Sequence, residues 1–503
     1  MTKEILYDNK LKFNDLEVKI FKFVCMVGCM LLKLILEKRD KEIRKSRDKT
    51  KYRHKGYKTD CIKTIMGEVE YRRAVYKVND GGNTKYVFLL NEEVEICSIG
   101  RISANLSEKI MGIVCENSYR ATAKNIEQIS SQSISHEAVR NVVLKVGKSI
   151  SDKEKERVRL LKEQKLKVGN SEIPALFEEA DGLWISLQGK DKEDAIKRYE
   201  EKTQKEGKEF KTPKRIKSEL KLYVSYEGWK TDSRHTLVGK SYIAGFMNPK
   251  QLYWLRMAKL HERYNLENIK MFVLNGDGAA WIKKLRLKHQ FYQKDSFHIS
   301  QAVIRNIKEP ENREKVQNII KQKRYNEINE YLESLKFECG GEEKQIKKLI
   351  LLQNYLRDGL TRYEDKIKDI PKPLDGMEYR HMGICESQIF SVLSKRFSNR
   401  RMSFSKIGAT LLSKVVAMKA ENKDSNILSI VETPVIVDNT VEEWIAEIEK
   451  QVKESKLQKS AKLKLEPTIK ILSKPFEGAK LKEYMVSIRK LIGFLPFTEL
   501  AIK

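Results

Sequence analysis

The stretch Met271-Phe-Val-Leu-Asn-Gly-Asp277 is a mainly apolar run that ends on an acidic residue. A second stretch, Ala175-Leu-Phe-Glu-Glu-Ala-Asp181, ends in the same way and is predicted to form a hairpin with 183–188, turning at Asp181-Gly182. Around these two stretches the pattern predicts strands at 222–226, 236–246 and 290–293 and helices at 251–264 and 279–287. Strands followed by helix–strand alternation indicate a mixed sheet.

In such a sheet the first and fourth strands can lie side by side and parallel, which would bring Asp181 and Asp277 together. Two carboxylates held that close repel each other unless a divalent cation lies between them. Oxygen ligands suit Mg²⁺ or Mn²⁺, and two such ions about 3.5–4 Å apart can promote phosphodiester chemistry. Each Asp-Gly pair could instead be turn chemistry, and spacing alone leaves both interpretations open.

A third carboxylate usually completes a site of this kind, and Glu386 is the candidate. Spacing does not single it out, because Glu309, Glu311 and Glu314 are also available. The sequence around Glu386 predicts an amphipathic helix, with an apolar stripe formed by Ile384, Ile389, Phe390 and Leu393. The basic residues that follow, Lys395, Arg396, Arg400 and Arg401, are predicted to contact DNA phosphates. Trp281 and Trp184 are predicted to anchor the core.

The charge balance indicates the class of partner. The chain has 503 residues, and 99 Lys and Arg against 70 Asp and Glu give a net charge of +29. This excess favours a polyanion, either nucleic acid or an acidic membrane surface. The longest apolar run, 23–32, is shorter than the roughly 20 residues that span a bilayer, and the polar start is unlike a signal peptide. We therefore expect a cytoplasmic protein that binds nucleic acid and no membrane.

The seven cysteines are scattered and form no CxxC pair, which predicts neither a zinc knuckle nor a disulfide framework. A reducing compartment fits this pattern.

The N-terminal part is predicted to hold a long helix, a small β unit and a helix-turn-helix. The long helix covers 14–48, and strands are predicted at 61–65, 69–78 and 86–90. Its basic end, 44–55, is either a solvated linker or an arm that contacts phosphates. Helices at 105–116 and 119–130 precede a third that Ser135 caps, which favours a helix-turn-helix over plain helical packing. The predicted DNA-binding residues on the third helix are His136, Arg140, Asn141 and Lys145.

Several segments together resemble a known family. They are KTIMGEVEYRRAVY, FEEADGLWISLQ with Asp181, LNGDGAAWIK with Asp277, KDSFHISQAV with Asp295 and His298, and GICESQIFSVLSKRFSNRRMSFSKIGA with Glu386. In this order they resemble the ISLre-type transposases of bacterial insertion sequences, whose layout is similar to that of the Mutator-like group. The resemblance covers about residues 45–420.

The resemblance implies a ribonuclease-H-like core with an Asp-Asp-Glu site and a helical insertion before the glutamate. Asp181, Asp277 and Glu386 would be the metal ligands, and they would hold two Mg²⁺ or Mn²⁺ ions. A histidine near the position of His298 lies close to the active site in related transposases; a purely structural role for His298 is the alternative.

The predicted fold class is mixed α+β, organised in five regions. These are an N-terminal helix and β unit (1–100), a helix-turn-helix-like region (101–168), a ribonuclease-H-like core (169–304 and 376–422), a helical insertion (305–375) and a helical basic C-terminal region (423–503). Within the core, 189–219 is predicted to be a mobile charged excursion.

The predicted function is DNA transposition. The protein is expected to bind the terminal inverted repeats of its element, cut at the ends and join the 3′-hydroxyls to target double-stranded DNA. Holding two ends together implies a homodimer or a higher oligomer on DNA. Two alternatives remain open: a catalytically inactive, DNA-binding remnant of a transposase, and a structure-specific nuclease of the same fold.

Overall fold

A computed structural model describes residues 12–80, 83–95, 98–130, 132–207, 209–210, 212–213, 215–233, 236–398 and 402–422. Over these residues the chain forms two compact units that divide between Ile150 and Ser151. The predicted C-terminal region 423–503 lies outside the described residues, and so do Arg400 and Arg401.

The first unit contains a long helix and a five-stranded sheet. Its elements up to the sheet's last strand are α1 (Phe13–Ser46), β1 (Arg53–Lys63), β2 (Glu68–Asp80), β3 (Asn83–Val87), α2 (Leu89–Glu93), β4 (Ser98–Ile99) and β5 (Ile102–Ser103). The strand order is β3-β2-β1-β5-β4. The helix packs on β2, and the buried Asp40 accepts hydrogen bonds from the amide of Ala74 at 3.1 and 3.2 Å. The end of the basic stretch, from Arg53, is strand rather than linker.

Three helices follow the sheet: α3 (Ala104–Val114), α4 (Tyr119–Ile129) and α5 (His136–Lys162). Each begins after a serine whose hydroxyl accepts a hydrogen bond from the first turn, which satisfies one of the unpaired amides there. The predicted cap, Ser135, accepts from the amide of Ala138 at 3.1 Å. α5 runs on to Lys162, so the charged stretch after residue 150 belongs to the same helix.

The second unit is built on a mixed sheet. Its strands are β6 (Ala175–Leu187), β7 (Lys217–Tyr226), β8 (Gly228–Lys230), β9 (Leu237–Val238), β10 (Ser241–Gly245), β11 (Met271–Gly276), β12 (Phe291–Lys294), β13 (Met377–Glu378) and β14 (Ser403–Phe404). The order is β10-β7-β6-β11-β12, and β14 joins the far end of β6. β10 and β6 are both antiparallel to β7, which lies between them. β6, β11 and β12 run parallel to one another. β8, β9 and β13 form a separate small sheet.

The predicted hairpin at Asp181-Gly182 is wrong. β6 is one strand of 13 residues, and Asp181 and Gly182 pair with Leu222 and Lys221 of β7. Because β7 pairs with β6 from Phe177 to Ser186, its backbone hydrogen bonds extend the strand through a dipeptide that favours turns elsewhere.

The helices of the second unit lie around the sheet and beyond β12. They are α6 (Gly189–Lys205), α7 (Pro249–Arg263), a 3₁₀ turn (Leu266–Asn268), α8 (Ala280–Lys283), α9 (Ser296–Asn306), α10 (Pro310–Lys321), α11 (Tyr325–Glu338), α12 (Glu343–Leu356), α13 (Tyr363–Lys366), α14 (Cys385–Gln388), a π-helix (Ile389–Ser394), α15 (Lys395–Phe397) and α16 (Lys406–Glu421). The predicted excursion at 189–219 therefore contains a helix and the start of β7, not a loop throughout.

The region between β12 and Glu386 is helical and has its own apolar core. Residues such as Val303, Val316, Leu332 and Leu352 are buried together where α9 to α12 meet. Within the described residues, no helix is both long and apolar enough to cross a membrane.

Candidate active site

The register of the parallel strands brings three acidic residues to one level of the sheet. Gly276, the last residue of β11, pairs with Ala180 of β6 on one side and with Lys294 of β12 on the other. Asp277 and Asp295, which follow those two strands, therefore lie level with Asp181. The prediction that Asp181 ends its own strand is wrong, because β6 continues to Leu187. Asp181 lies instead level with the ends of β11 and β12.

Glu386 and His298 meet Asp181 at this edge. One potential ligand atom from each of the three residues lies within 4.8 Å of the others. His298 Nε2 is 3.6 Å from Asp181 Oδ2. Asp181 is buried and Glu386 is exposed, so the cluster lies at the boundary between the interior and solvent. Residues that lie far apart in the sequence thus form one group.

The electrostatics of the edge follow from this crowding. Asp181 raises the pKa of His298, first through a hydrogen bond and then through its charge. Burial raises the pKa of Asp277, and the nearby charge of Asp181 adds to the effect. Both shifts place Asp277 and His298 in the field of Asp181.

Asp277 is held from two sides. Its Oδ1 accepts a hydrogen bond from the amide of Ala279 at 2.7 Å, and its carbonyl accepts one from Tyr355 Oη of α12 at 2.8 Å. Gly278 has a φ of +90°, and a Cβ there would lie 2.9 Å from the Tyr355 ring. Glycine is therefore required for the turn, and the helical region beyond β12 reaches the site through Tyr355.

A second carboxylate of β6, Glu179, holds the segment that carries Glu386. It is fully buried and accepts hydrogen bonds from the amides of Gly383, Ile384 and Cys385 at 3.2, 3.3 and 3.2 Å. These amides begin the helical segment of Glu386, where unpaired donors favour an acceptor. Burial raises the pKa of Glu179.

Asn275 links this anchor to the helix that carries His298. Its Nδ2 donates to Glu179 Oε2 at 2.9 Å and to Asp295 Oδ2 at 3.1 Å. The other oxygen of Asp295 caps α9, accepting from the amide of Phe297 at 2.8 Å. One buried polar network therefore fixes the two segments that bring His298 and Glu386 to Asp181.

A further carboxylate, Glu219 of β7, lies beside the site. Its Oε1 accepts a hydrogen bond from Trp281 Nε1 at 3.0 Å, and burial raises its pKa, with smaller contributions from Asp277 and Asp181. A Cβ on Gly182 would lie 2.2 Å from this oxygen, so Gly182 provides the space for Glu219.

The sequence prediction did not include Glu179, Asn275 or Glu219 in the site. The available signal was a charged or amide side chain within an apolar strand, as in Leu-Phe-Glu-Glu-Ala and Phe-Val-Leu-Asn. Such residues are rarely buried without a partner.

The predicted DNA-binding residues of α5 are all on the surface. His136, Arg140, Asn141 and Lys145 are exposed, whereas Val139, Val142, Val143 and Val146 are buried. Arg140 Nη1 forms an ion pair with Glu137 Oε1 at 2.6 Å. Their contact with DNA stays a prediction.

The two described basic residues after Glu386 differ in exposure. Lys395 is exposed, but Arg396 is only 1% exposed and lies against the ring of Phe404, with its guanidinium carbon 5.5 Å from the ring centre. The burial of Arg396 argues against the predicted phosphate contact, because its charge packs inside the unit.

Two predicted core positions are also wrong. Phe390 is 64% exposed, and the buried stripe after Glu386 is formed by Cys385, Ile389, Val392 and Leu393. Trp184 is 59% exposed on β6, whereas Trp281 is buried as predicted.

Comparisons with known proteins give the family. Residues 6–215 and 208–434 match the Uncharacterised protein family UPF0236. One UPF0236 protein of Caldanaerobacter subterraneus subsp. tengcongensis is 25% identical over 419 residues, which are 82% of this chain and 79% of the relative. Another, described as lying in the vanSb 3′ region of Streptococcus gallolyticus, is 21% identical over 426 residues, 81% of this chain and 82% of that protein.

Among solved structures, the chain is similar to one from a Drosophila P element transposase strand transfer complex. The identity is 10%, and the match covers 67% of this chain and 85% of that one. Its TM-score of 0.19 is too low to indicate a shared fold. The sequence match, in contrast, spans most of the chain, and the protein belongs to the UPF0236 family.

Proposed function

We propose that this protein is a DNA transposase of the ISLre type, which binds the inverted repeats of its element and catalyses metal-dependent cleavage and strand transfer. The observation that carries the proposal is the convergence of Asp181, Glu386 and His298, with their potential ligand atoms within 4.8 Å, beside Asp277. The sequence resemblance implies Asp181, Asp277 and Glu386 as the ligands. The geometric cluster and the implied set share Asp181 and Glu386, and Asp277 lies near Asp181.

The sheet supports the proposal. Three antiparallel strands, β10, β7 and β6, are followed across the sheet by two strands parallel to β6. This order is consistent with the ribonuclease-H-like core that the resemblance implies. The helical region of α10 to α12 occupies the place of the implied insertion, between the last core strand and Glu386.

The donor set fits a hard divalent cation. Asp181, Asp277 and Glu386 offer carboxylate oxygens, the ligands that Mg²⁺ and Mn²⁺ prefer. When bound, two such ions would activate a water or a 3′-hydroxyl and stabilise the leaving oxygen of a phosphodiester.

The chain's own residues prepare the site. His298 can hold a proton at Nε2 and so orient the Asp181 carboxylate, while Glu179 fixes the backbone before Glu386. The exposed Lys395, on the same helical segment, is placed to meet a phosphate of the DNA.

The test is a strand-transfer assay with the full chain and a labelled duplex that carries the inverted repeat flanking its gene. We expect Mg²⁺-dependent joining of the 3′ end to a target plasmid. Binding without cleavage would support the inactive remnant, and cleavage without joining would support the nuclease.

End recognition is tested separately from cleavage. Arg140→Ala should weaken binding of element-end DNA by about 1–3 kcal/mol, the typical contribution of a bidentate base contact, and reduce the preference over a scrambled duplex. The comparison of the two duplexes is measured by fluorescence anisotropy at one fixed salt concentration. Equal loss on both duplexes would make Arg140 a phosphate contact, and no loss would place recognition outside this helix.

A further inference from the structure

The long helix α1 carries an extended apolar surface. Its large apolar side chains that are at least 40% exposed are Phe13, Val18, Ile20, Phe21, Val24, Met26, Val27, Met30, Leu31, Leu34 and Ile35. Large exposed apolar patches on a protein surface mark interaction sites.

Two opposite faces of α1 have different surroundings. Cys25, Leu36 and Ile43 are buried on the side that packs on β2. At 100° per residue, the exposed residues Ile20, Val24, Val27, Leu31 and Leu34 lie on the other side of the helix. Their spacing alternates between four and three residues, which is the heptad pattern of helices that pair in coiled coils. We call these five residues the α1 seam.

Charged residues continue the spacing of the α1 seam at both ends. Glu17 precedes Ile20 by three residues, and Lys38 and Lys41 follow Leu34 by four and seven. All three are exposed. The seam therefore has an acidic end and a basic end.

We propose that α1 pairs with α1 of a second copy of this chain, antiparallel along the seam. An antiparallel pair places Glu17 beside Lys41 of the second copy, so that opposite charges meet twice. A parallel pair in register would instead place Glu17 against Glu17, Lys38 against Lys38 and Lys41 against Lys41. Like charges at facing positions disfavour that arrangement.

Four of the five apolar seam residues meet apolar partners in the same alignment, and Ile20 faces the aliphatic part of Lys38. With Glu17 opposite Lys41, Val24 faces Leu34 of the second copy and Val27 faces Leu31. The two-fold axis then passes near residue 29, and both copies keep their opposite faces on their own β2. The pairing uses only residues of the first unit and does not rest on the proposed function.

The first experiment measures the oligomeric state of the full chain, without DNA, by sedimentation velocity over a range of concentrations. We expect a dimer, and we expect Val24→Glu to weaken it at least tenfold by placing a charge in the seam. Val18→Glu is the matched control, because Val18 is similarly exposed but lies off the seam. A monomeric wild type, or equal effects of the two variants, would overturn the proposal.

A second experiment tests the orientation. Glu17→Lys alone and Lys41→Glu alone should each weaken the antiparallel dimer several-fold, and the double variant should restore it. In a parallel dimer each single variant would only exchange one like-charge pair for another. Unchanged dimerisation in both single variants would therefore exclude the antiparallel arrangement.

Discussion

The two faces of β6 hold buried carboxylates in opposite ways. Glu178 and Glu179 are consecutive, fully buried and on opposite faces of the sheet. Glu178 pairs with the buried Arg256, with Nε–Oε1 and Nη2–Oε2 distances of 2.5 Å. In the part of the chain that the structure describes, the hydrogen-bond donors to Glu179 are neutral: Tyr226, Asn275 and three backbone amides.

The difference separates a carboxylate that is neutralised inside the protein from one that lies among further carboxylates. On the Glu178 face, the arginine neutralises the charge within the protein. On the Glu179 face, the neighbouring acidic groups Asp181, Asp277 and Asp295 add negative charge. A face that accumulates carboxylates in this way is suited to bind cations, whereas a closed ion pair is not.

The largest expected effect is on catalysis at the Glu179 face of β6, which we call the acidic face. Asp181→Asn and Glu386→Gln should each lower the rate of strand transfer by at least about 10³-fold, the upper range for the loss of one preorganised electrostatic group. An amide cannot replace an anionic ligand between cations. The rates are compared with those of Asp232→Asn, which changes an exposed aspartate after β8. Wild-type joining by Glu386→Gln would assign the third ligand to another acidic residue.

The next largest effect is on the stability of the fold at the Glu178 face, where Arg256 neutralises the carboxylate. Arg256→Met should lower the free energy of unfolding by about 3–5 kcal/mol, because Glu178 would remain buried without its partner. Urea denaturation followed by circular dichroism measures the change. Replacing both partners, with Glu178→Leu and Arg256→Met, should recover part of the loss. A single variant as stable as the wild type would show that the pair does not hold this face.

A smaller effect, on metal affinity, is expected to distinguish the two neighbouring glutamates. Glu178→Gln and Glu179→Gln should both destabilise the fold, but only Glu179→Gln should also weaken Mn²⁺ binding, by about 10–100-fold. The new amide group would face donors and displace the segment before Glu386. Mn²⁺ binding is measured by electron paramagnetic resonance on folded protein. Equal metal affinities in the two variants would contradict a positioning role for Glu179.

The smallest effect is a pH dependence at the acidic face. Because Asp181 raises the pKa of His298 from the usual 6.5, protonated His298 stabilises the folded state at low pH. This contribution is fully present below the unfolded pKa and is lost as the pH rises through the folded pKa. The stability difference between wild type and His298→Gln, measured by denaturation in EDTA, should therefore decrease above pH 6.5. A difference that does not change with pH would exclude the coupling.

Sequence patterns predicted part of the site. The apolar runs that end at Asp181 and Asp277 led to two strands expected side by side, and β6 and β11 are parallel neighbours. Glu386 came from the family resemblance, since many other glutamates have similar local surroundings. Glu179 has no local signal beyond its burial in an apolar strand, because its partners come from β7, β11 and the segment before Glu386.

Other errors show where local rules fail. The Asp181-Gly182 turn was overridden by pairing with β7, which depends on a strand about 40 residues away. Phe390 was placed in the apolar stripe because it is apolar, but the buried residues Cys385, Ile389, Val392 and Leu393 follow helical spacing, and Phe390 lies to one side of them.

The alternation of strands and helices, the basic charge and the heptad spacing of the α1 seam depend on the periodicity and composition of the chain alone. Which carboxylates meet depends instead on contacts between distant parts of the chain. The register of β11 against β6 and β12 places Asp277 and Asp295 level with Asp181, and the Glu179–Asn275–Asp295 network fixes Glu386 and His298 beside it. Register and buried hydrogen bonds join residues that are far apart in the sequence, and no local pattern encodes them.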